Sequence, residues 1–186
     1  MGVITEETSF NELLVLYVLS TIGFSLFYFA NKMFFPSIVR TVCGPESPFF
    51  SLSEKDVKEY HSRNCADLHA LIAAPLSFYV CFYACDDPEQ NIFSSQECLM
   101  KPQRSMLYLI TISCAYVTYD LFLCILELGY TMKNGADFIL HHLVGMFGAY
   151  AVLVAGRFNV ALSAGNLFCE WTSFSMNQRW RMLKHK

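Results

Sequence analysis

The sequence FILHHLVGMFGAYAVLVAG, at residues 138–156, decides the class of fold. Its length approaches the ~20 residues that a membrane-spanning helix needs. Tyr150 is its only titratable side chain apart from the adjacent His141 and His142. Ionisable groups at membrane depth are costly, so they usually face a protein interior or a wet cavity. The stretch therefore predicts a spanning helix with two histidines of functional interest near its start.

Further apolar segments accompany this one, and together they predict an all-α, polytopic membrane helix bundle with about five transmembrane helices. The chain has 54% hydrophobic and 16% charged residues, against about 25% charged in soluble domains. A soluble protein of 186 residues would lack the polar surface to cover these segments. Their unalternating pattern favours helices over a β-barrel. The segments are 13–31, 66–84, 105–128, 136–155 and 157–179.

The charges between the segments predict an orientation. The loop 32–63 and the C-terminal tail are rich in lysine and arginine, whereas the N-terminal segment and the loop 86–104 are mainly acidic. By the positive-inside rule, the N-terminus is lumenal or outside and the C-terminus is cytosolic. We expect the endoplasmic reticulum rather than the plasma membrane as the location. The net charge of −3 and the lack of a basic stripe exclude nucleic-acid binding.

Two local sequence patterns predict the start of a helix and a disulfide. Ser53 is placed to cap a helix that begins at Glu54, with Asp56 in a capping-box-like position. Cys85 and Cys98 share one polar loop, so a disulfide forms there if the loop is lumenal. No paired metal-ligand spacing occurs, and we expect no bound metal and no cofactor.

The fifth segment has a periodic polar face. Its members recur at intervals of three and four, which places them on one side of a helix. Two interpretations stay open: hydrogen bonds between helices, and a polar cavity. The carboxylate of Glu170 favours the cavity, because a lone carboxylate in an apolar segment needs a partner or water. The members are Asn159, Ser163, Asn166, Glu170, Ser173 and Asn177.

Other segments supply further candidates. Tyr116 and Asp120 are one turn apart in the third segment, and Asp120 lies near its middle, which favours a functional role. His141 and His142 diverge by about 100° on a helix, so one faces the cavity while the other contacts a neighbouring helix. If the protein is an enzyme, the catalytic residues are predicted to be His141, His142 and Asp120. The residues predicted to line the cavity are His69, Tyr116, Asn166, Glu170 and Asn177.

The chain resembles TLC-domain proteins, the group that includes TRAM, the Lag-type ceramide synthases and the CLN-type lipid proteins. The resemblance extends from about Lys58 to Trp180, so we divide the chain into an N-terminal segment, 1–57, and a partial TLC-type domain, 58–186. The block Asn-Gln-Arg-Trp is similar to that of the smaller members that are not ceramide synthases. The matching residues are 137–142, Tyr116 with Asp120, Ser62-Arg63 with His69, and Glu170 with 177–180.

The resemblance implies an acyl-transfer role for His141 and His142, as in the family's ceramide synthases. Those enzymes also carry His-Asp-x-x-Asp-x-x-x-Glu on the following helix. Here Leu162, Ser163, Asn166 and Glu170 occupy these places, and the loss of both aspartates argues against ceramide synthesis. The family's domain continues with further helices, so the resemblance also implies a C-terminally truncated form, whose polar face a homo-oligomer would cover.

Three functions are compatible with the sequence. The first is a protein of lipid homeostasis, which binds a lipid or an acyl chain in a polar-lined intramembrane cavity and influences membrane lipid composition. The second is an acyl-CoA-dependent acyltransferase, in which a histidine accepts the acyl group. The third is a helical scaffold or assembly factor. Membrane lipids are the expected partners, and acyl-CoA is a substrate only in the second case.

Overall fold

The computed structural model describes residues 8–155 and 158–184, and in this part of the chain the regular secondary structure is entirely helical, without strands. An all-α fold is thereby confirmed. The α-helices are α1 (Phe10–Cys43), α2 (Glu54–Tyr83), α3 (Gln96–Met100), α4 (Arg104–Leu126), α5 (Ala136–Ala155), α6 (Phe158–Asn166) and α7 (Glu170–Lys184). Two 3₁₀ turns, Pro48–Ser51 and Leu167–Cys169, separate α1 from α2 and α6 from α7.

Four of the described helices, α1, α2, α4 and α5, are long and apolar enough to cross a membrane. They correspond to the first four predicted spans. Helix α5 has the predicted bounds, whereas α2 ends one residue and α4 two residues before the predicted ends. The protein is therefore a helical integral membrane protein. Large hydrophobic side chains such as Phe29, Phe34 and Phe147 are exposed on the outside of the bundle, as expected for helices that contact hydrocarbon.

The fifth predicted span differs from expectation, because it is not one α-helix. The Oγ atom of Ser77 in α2 donates to the carbonyls of Ala164 and Gly165, at 2.7 and 2.9 Å. In an α-helix these carbonyls would accept from the amides of Phe168 and Cys169. Both amides lie instead in the 3₁₀ turn between α6 and α7.

Helix α4 is the most buried of the four long helices. Contacts along its length show that α1 runs parallel to it: Tyr17 meets Thr118, and Lys32 meets Glu127. Helices α2 and α5 run antiparallel to α4 and pack on its other sides. As a result, side chains from α2, α4 and α5 can meet in the interior.

Local sequence explains where α2 begins. The Ser53 hydroxyl accepts from the Asp56 amide at 3.2 Å and donates to the Asp56 carboxylate at 2.7 Å. The predicted N-cap is thereby confirmed. Helix α1 ends at Cys43 and is capped by Gly44, whose φ of 85° is a positive value that glycine adopts at little cost.

The two ends of the bundle differ in charge. A disulfide joins Cys85 and Cys98 in the loop that leads to α4, as predicted from their shared loop. This loop lies at the same end as the start of α1, since Arg104 at the start of α4 pairs with Glu12. The opposite end holds the Lys32–Glu127 ion pair and most of the basic residues of the loop 32–63 and the C-terminal tail.

Candidate functional site

An acid–imidazole pair joins α4 to α5 in the interior of the bundle. Asp120 Oδ2 and His142 Nε2 are 2.7 Å apart, and both residues are buried. From α2, the Ser62 hydroxyl donates to Asp120 Oδ1 over 3.4 Å. Two of the three residues predicted to be catalytic, Asp120 and His142, are thus in direct contact, and three helices contribute to one polar centre.

The hydrogen bonds of His142 restrict what its ring can do. Its Nδ1 atom lies 2.7 Å from the carbonyl oxygen of Phe138, and a carbonyl only accepts, so Nδ1 carries a hydrogen. The contact between Nε2 and Asp120 then holds one shared proton, on either the ring or the carboxyl group. With both nitrogens engaged, His142 has no free lone pair for attack on an acyl group in this arrangement.

His141 has a different environment. Its side chain is exposed, and its ring is perpendicular to that of His142, with the centroids 5.5 Å apart. The two rings diverge as the helical spacing requires. Within the described ranges its ring has no hydrogen-bond partner, so it faces away from the Asp120–His142 pair. A catalytic role for His141 stays a prediction.

A second polar centre surrounds His69, which is 1% exposed. Its Nε2 atom lies 3.1 Å from the Ser113 hydroxyl, and its Nδ1 atom lies 3.8 Å from Glu170 Oε2. Its ring stacks on Tyr116, with the centroids 4.1 Å apart and the planes 8° from parallel. Three of the residues predicted to line a cavity, His69, Tyr116 and Glu170, are therefore neighbours.

Asn177 belongs to a third group, the α2–α7 network, which we define as Arg63, Asp67, Asn177 and Arg181. The Asn177 amide donates to Asp67 Oδ1 at 2.8 Å and accepts from Arg63 Nη1 at 2.9 Å. Arg181 Nη1 lies 2.6 Å from Asp67 Oδ2. These contacts hold α7 on α2. For Asn177 the structure therefore favours the interhelical hydrogen bonds that the sequence left open.

The remaining members of the predicted polar face are less involved. Asn166 is exposed, and Ser163 and Ser173 are half-buried. The side chain of Asn159 lies outside the described residues. The face is therefore not one continuous lining, and its inward contacts come from Glu170 and Asn177.

One group in the described part of the chain has the residue types and spacing that could hold a metal ion. Ligand atoms of Asp120, Cys124 and His142 all lie within 4.8 Å of one another, and all three residues are buried. Carboxylate, thiolate and imidazole are ligands that zinc accepts. The direct hydrogen bond between Asp120 and His142 already accounts for two of the three without an ion.

A groove of about 630 Å³ lies between α1, α4 and α5. Its walls are mainly apolar, and two of its hydroxyls bond within the protein: Tyr17 donates to Thr118 at 3.0 Å, and Thr118 donates to the Cys114 carbonyl at 2.8 Å. The residues predicted to line a cavity do not line this groove. Its lining consists of Phe10, Leu13, Leu14, Tyr17, Thr111, Cys114, Thr118, Met146, Phe147, Tyr150, Leu153 and Val154.

Two residues beside the polar centres, Ser113 and Cys124, were not predicted from the sequence. Both continue a face of α4 that was identified only in part, because 113, 116, 120 and 124 recur at intervals of three and four. That periodicity was the available signal. Asn177 was predicted from such a spacing, but its pairing with Asp67 has no comparable signal, since the two lie more than a hundred positions apart in the chain.

Most of the chain matches a known protein family. A family model described as TLC domain matches residues 61–185, which include both polar centres and the α2–α7 network. No curated protein matches the chain, and no solved structure matches it. The matched region covers more than half of the sequence and nearly all of α2 through α7. The chain therefore belongs to the TLC domain family.

Proposed function

We propose that this protein binds the acyl chain of a membrane lipid in the groove between α1, α4 and α5, and so acts in membrane lipid homeostasis. The observation that carries the proposal is the groove itself. Its volume of about 630 Å³ falls within the roughly 300–1,000 Å³ of small-molecule sites. Its three helices are each long and apolar enough to span the membrane, so its natural surroundings are lipid chains.

The chemistry of the walls supports an apolar occupant. No charged side chain belongs to the lining, and the hydroxyls of Tyr17 and Thr118 have hydrogen-bond partners within the protein. Apart from the hydroxyl of Tyr150, whose side chain is exposed, a polar headgroup would find no free hydroxyl there. In a bilayer, binding of an acyl chain depends on close packing, because the surrounding lipid is equally apolar.

The Asp120–His142 pair supports the groove from one side. Met146 lines the groove and lies one helical turn beyond His142 on the same face of α5. On α4, Thr118 lines the groove two positions before Asp120. By joining α4 to α5, the pair sets the separation of two of the three walls. Its role under this proposal is to position the groove rather than to react.

Lipid mass spectrometry of the protein purified in mild detergent tests the proposal. We expect co-purified lipid from the wild type and markedly less from Cys114→Phe, whose ring would project into the groove and obstruct it. Cys169→Phe is the matched control, because Cys169 is an exposed free cysteine outside the groove. Equal lipid recovery from both variants, or none from the wild type, would overturn the proposal.

The acyltransferase alternative is tested in the same preparation. The exposed His141 side chain is the candidate acceptor of an acyl group, since both ring nitrogens of His142 are engaged. Incubation with acyl-CoA and intact-mass analysis would then show an adduct that is lost in His141→Ala and retained in His142→Ala. The absence of an adduct across several chain lengths would remove this alternative.

We also propose that the protein resides in the endoplasmic reticulum membrane, with the Cys85–Cys98 end of the bundle in the lumen. Two observations support this orientation. Disulfides persist in oxidising compartments, and the opposite end carries Lys32, Arg181 and Lys184, as the positive-inside rule expects of a cytosolic end.

A further inference from the structure

The His69 ring has one nitrogen without a partner. Its Nδ1 atom is buried and makes no hydrogen bond within the described residues, although the residue is only 1% exposed. The nearest acidic oxygen, Glu170 Oε2, is 3.8 Å away, which exceeds the 2.7–3.2 Å of a hydrogen bond. Buried polar atoms in native proteins are nearly always paired, so this gap indicates a position for an additional polar group.

The gap has a defined hydrogen-bonding character. An oxygen beside the line between the two atoms can lie about 2.8 Å from each. When the Ser113 hydroxyl donates to Nε2, the hydrogen of the ring is on Nδ1, which then donates into the gap. The Glu170 carboxylate accepts from the other side. A hydroxyl group satisfies both, because it accepts one hydrogen bond and donates another.

The His69 Nδ1 atom is itself buried, so access to the gap is by way of Glu170. The Glu170 side chain is 30% exposed, so the carboxylate connects the buried imidazole to the surface of the bundle. The Tyr116 ring, stacked on His69, provides an apolar wall beside the gap. His69 and Ser113 lie within α2 and α4, two of the helices that can span the membrane, so a ligand would arrive from the lipid phase.

We propose that His69 and Glu170 bind the hydroxyl group of an uncharged lipid. A phosphate is disfavoured because the Glu170 carboxylate would repel it. The nearby guanidinium groups of Arg63 and Arg181 are already engaged in the α2–α7 network. The ligand class is therefore a neutral lipid with a free hydroxyl, either a diacylglycerol or a long-chain alcohol. This site shares no residue with the groove and is a separate function of the fold.

Photo-crosslinking in lipid nanodiscs tests the proposal. Three probes carry the same photoactivatable acyl chain: a diacylglycerol, a long-chain alcohol and a phosphatidylcholine. We expect at least one hydroxyl probe to label the wild type. Loss of one charge-assisted hydrogen bond weakens binding by about tenfold or more. Because the groove also admits acyl chains, the comparison is made in protein that carries Cys114→Phe, where Glu170→Met should lower the labelling by the hydroxyl probe about tenfold. Phosphatidylcholine labelling should not change. Which hydroxyl probe responds identifies the source of the hydroxyl.

A second variant and two controls keep the test decisive if one variant fails to fold. His69→Phe retains the stacking on Tyr116 and removes both nitrogens, so it should reproduce the loss. Glu97→Met makes the same substitution at an exposed carboxylate and should leave labelling unchanged. Cys114→Phe obstructs only the groove, so it separates failure of the groove proposal from failure of this one. Unchanged hydroxyl labelling in folded Glu170→Met and His69→Phe would overturn the inference, as would no hydroxyl labelling of the wild type.

Discussion

The Nε2 atom of His142 and the Oδ2 atom of Asp120, from neighbouring antiparallel helices, are 2.7 Å apart in the interior of the bundle. Because Phe138 fixes the hydrogen on Nδ1, one proton serves both partners. The contact is therefore a mutual dependence: each group is satisfied only while the other is present.

The two members of this pair should not contribute additively to stability. Removing both should cost less free energy of unfolding than the sum of the two single changes. Asp120→Ala leaves His142 buried without its partner, and breaking a buried pair costs ~3–5 kcal/mol. We expect a large fall in thermal stability in detergent for Asp120→Ala, and little further fall for Asp120→Ala/His142→Ala.

Thermal unfolding of the wild type, both single variants and the double variant measures this coupling. His141→Ala serves as the adjacent control, because that side chain is exposed and should tolerate the change. Strictly additive losses would show that the two residues do not depend on each other.

The α2–α7 network predicts which substitution releases the C-terminal helix. Arg181→Ala leaves the Asp67 carboxylate, which is only 13% exposed, without its 2.6 Å ion pair, so α7 should detach locally from α2. Hydrogen–deuterium exchange of α7 should increase, whereas exchange of α4 and α5 should change little. Arg179→Ala is the control, since Arg179 is exposed and two positions away. Equal exchange in the two variants would contradict the anchoring role.

The orientation predicts which loop is glycosylated when an acceptor is introduced. The double change Glu89→Asn and Asn91→Thr creates an acceptor in the disulfide loop, and Ala136→Thr creates one at Asn134, at the opposite end. We expect a glycosidase-sensitive shift on a gel for the first variant alone. Glycosylation at Asn134, with none at position 89, would invert the assigned orientation.

The Lys32–Glu127 ion pair predicts a specific pH dependence. The hydrogen bond from Lys32, at 2.5 Å, holds the pKa of the Glu127 carboxyl below its ordinary value of 4.5. A lowered pKa means that the folded state favours the ionised carboxylate. The stabilisation is therefore complete above about pH 4.5 and is lost as the pH falls through the lowered value.

Comparison of the wild type with Glu127→Gln isolates the contribution of the Lys32–Glu127 ion pair to stability. The difference in melting temperature between wild type and variant should be largest near neutral pH and should shrink under acidic conditions. Salt should reduce it, because Lys32 is 46% exposed and its charge is screened. A difference that stays constant from neutral to strongly acidic pH would rule out the ion pair as its source.

The sequence predicted those parts of the fold that depend on local hydropathy and local hydrogen bonds. Four apolar segments became long helices, and the cap at Ser53 formed as its spacing indicated. Contacts between helices could not be predicted in the same way. Asp120 and His142 were both identified, but no sequence pattern indicates that they are in contact. The same holds for the contacts of His69 with Ser113 and Glu170. Those contacts depend on how the helices pack.

The fifth segment shows the same limit in a different form. Its spacing predicted one polar face, but Asn166 is exposed while Glu170 approaches His69. The reason lies in a residue far away in the sequence, Ser77, whose hydroxyl occupies two carbonyls of α6. A polar face follows from periodic spacing only where the helix is unbroken, and the hydrogen bonds from Ser77 accompany a break in this one.

The hydroxyl of Ser77 thereby sets the direction in which Glu170 points. A 3₁₀ turn advances about 120° per residue and an α-helix about 100°, so the three residues Leu167–Cys169 rotate everything after them by roughly 60°. If α6 and α7 merged into one regular helix, the carboxylate would swing that far around the axis, away from the imidazole. The Ser77 side chain on α2 thus helps to set the rotation of α7, and with it the position of the Glu170 carboxylate, without contacting Glu170.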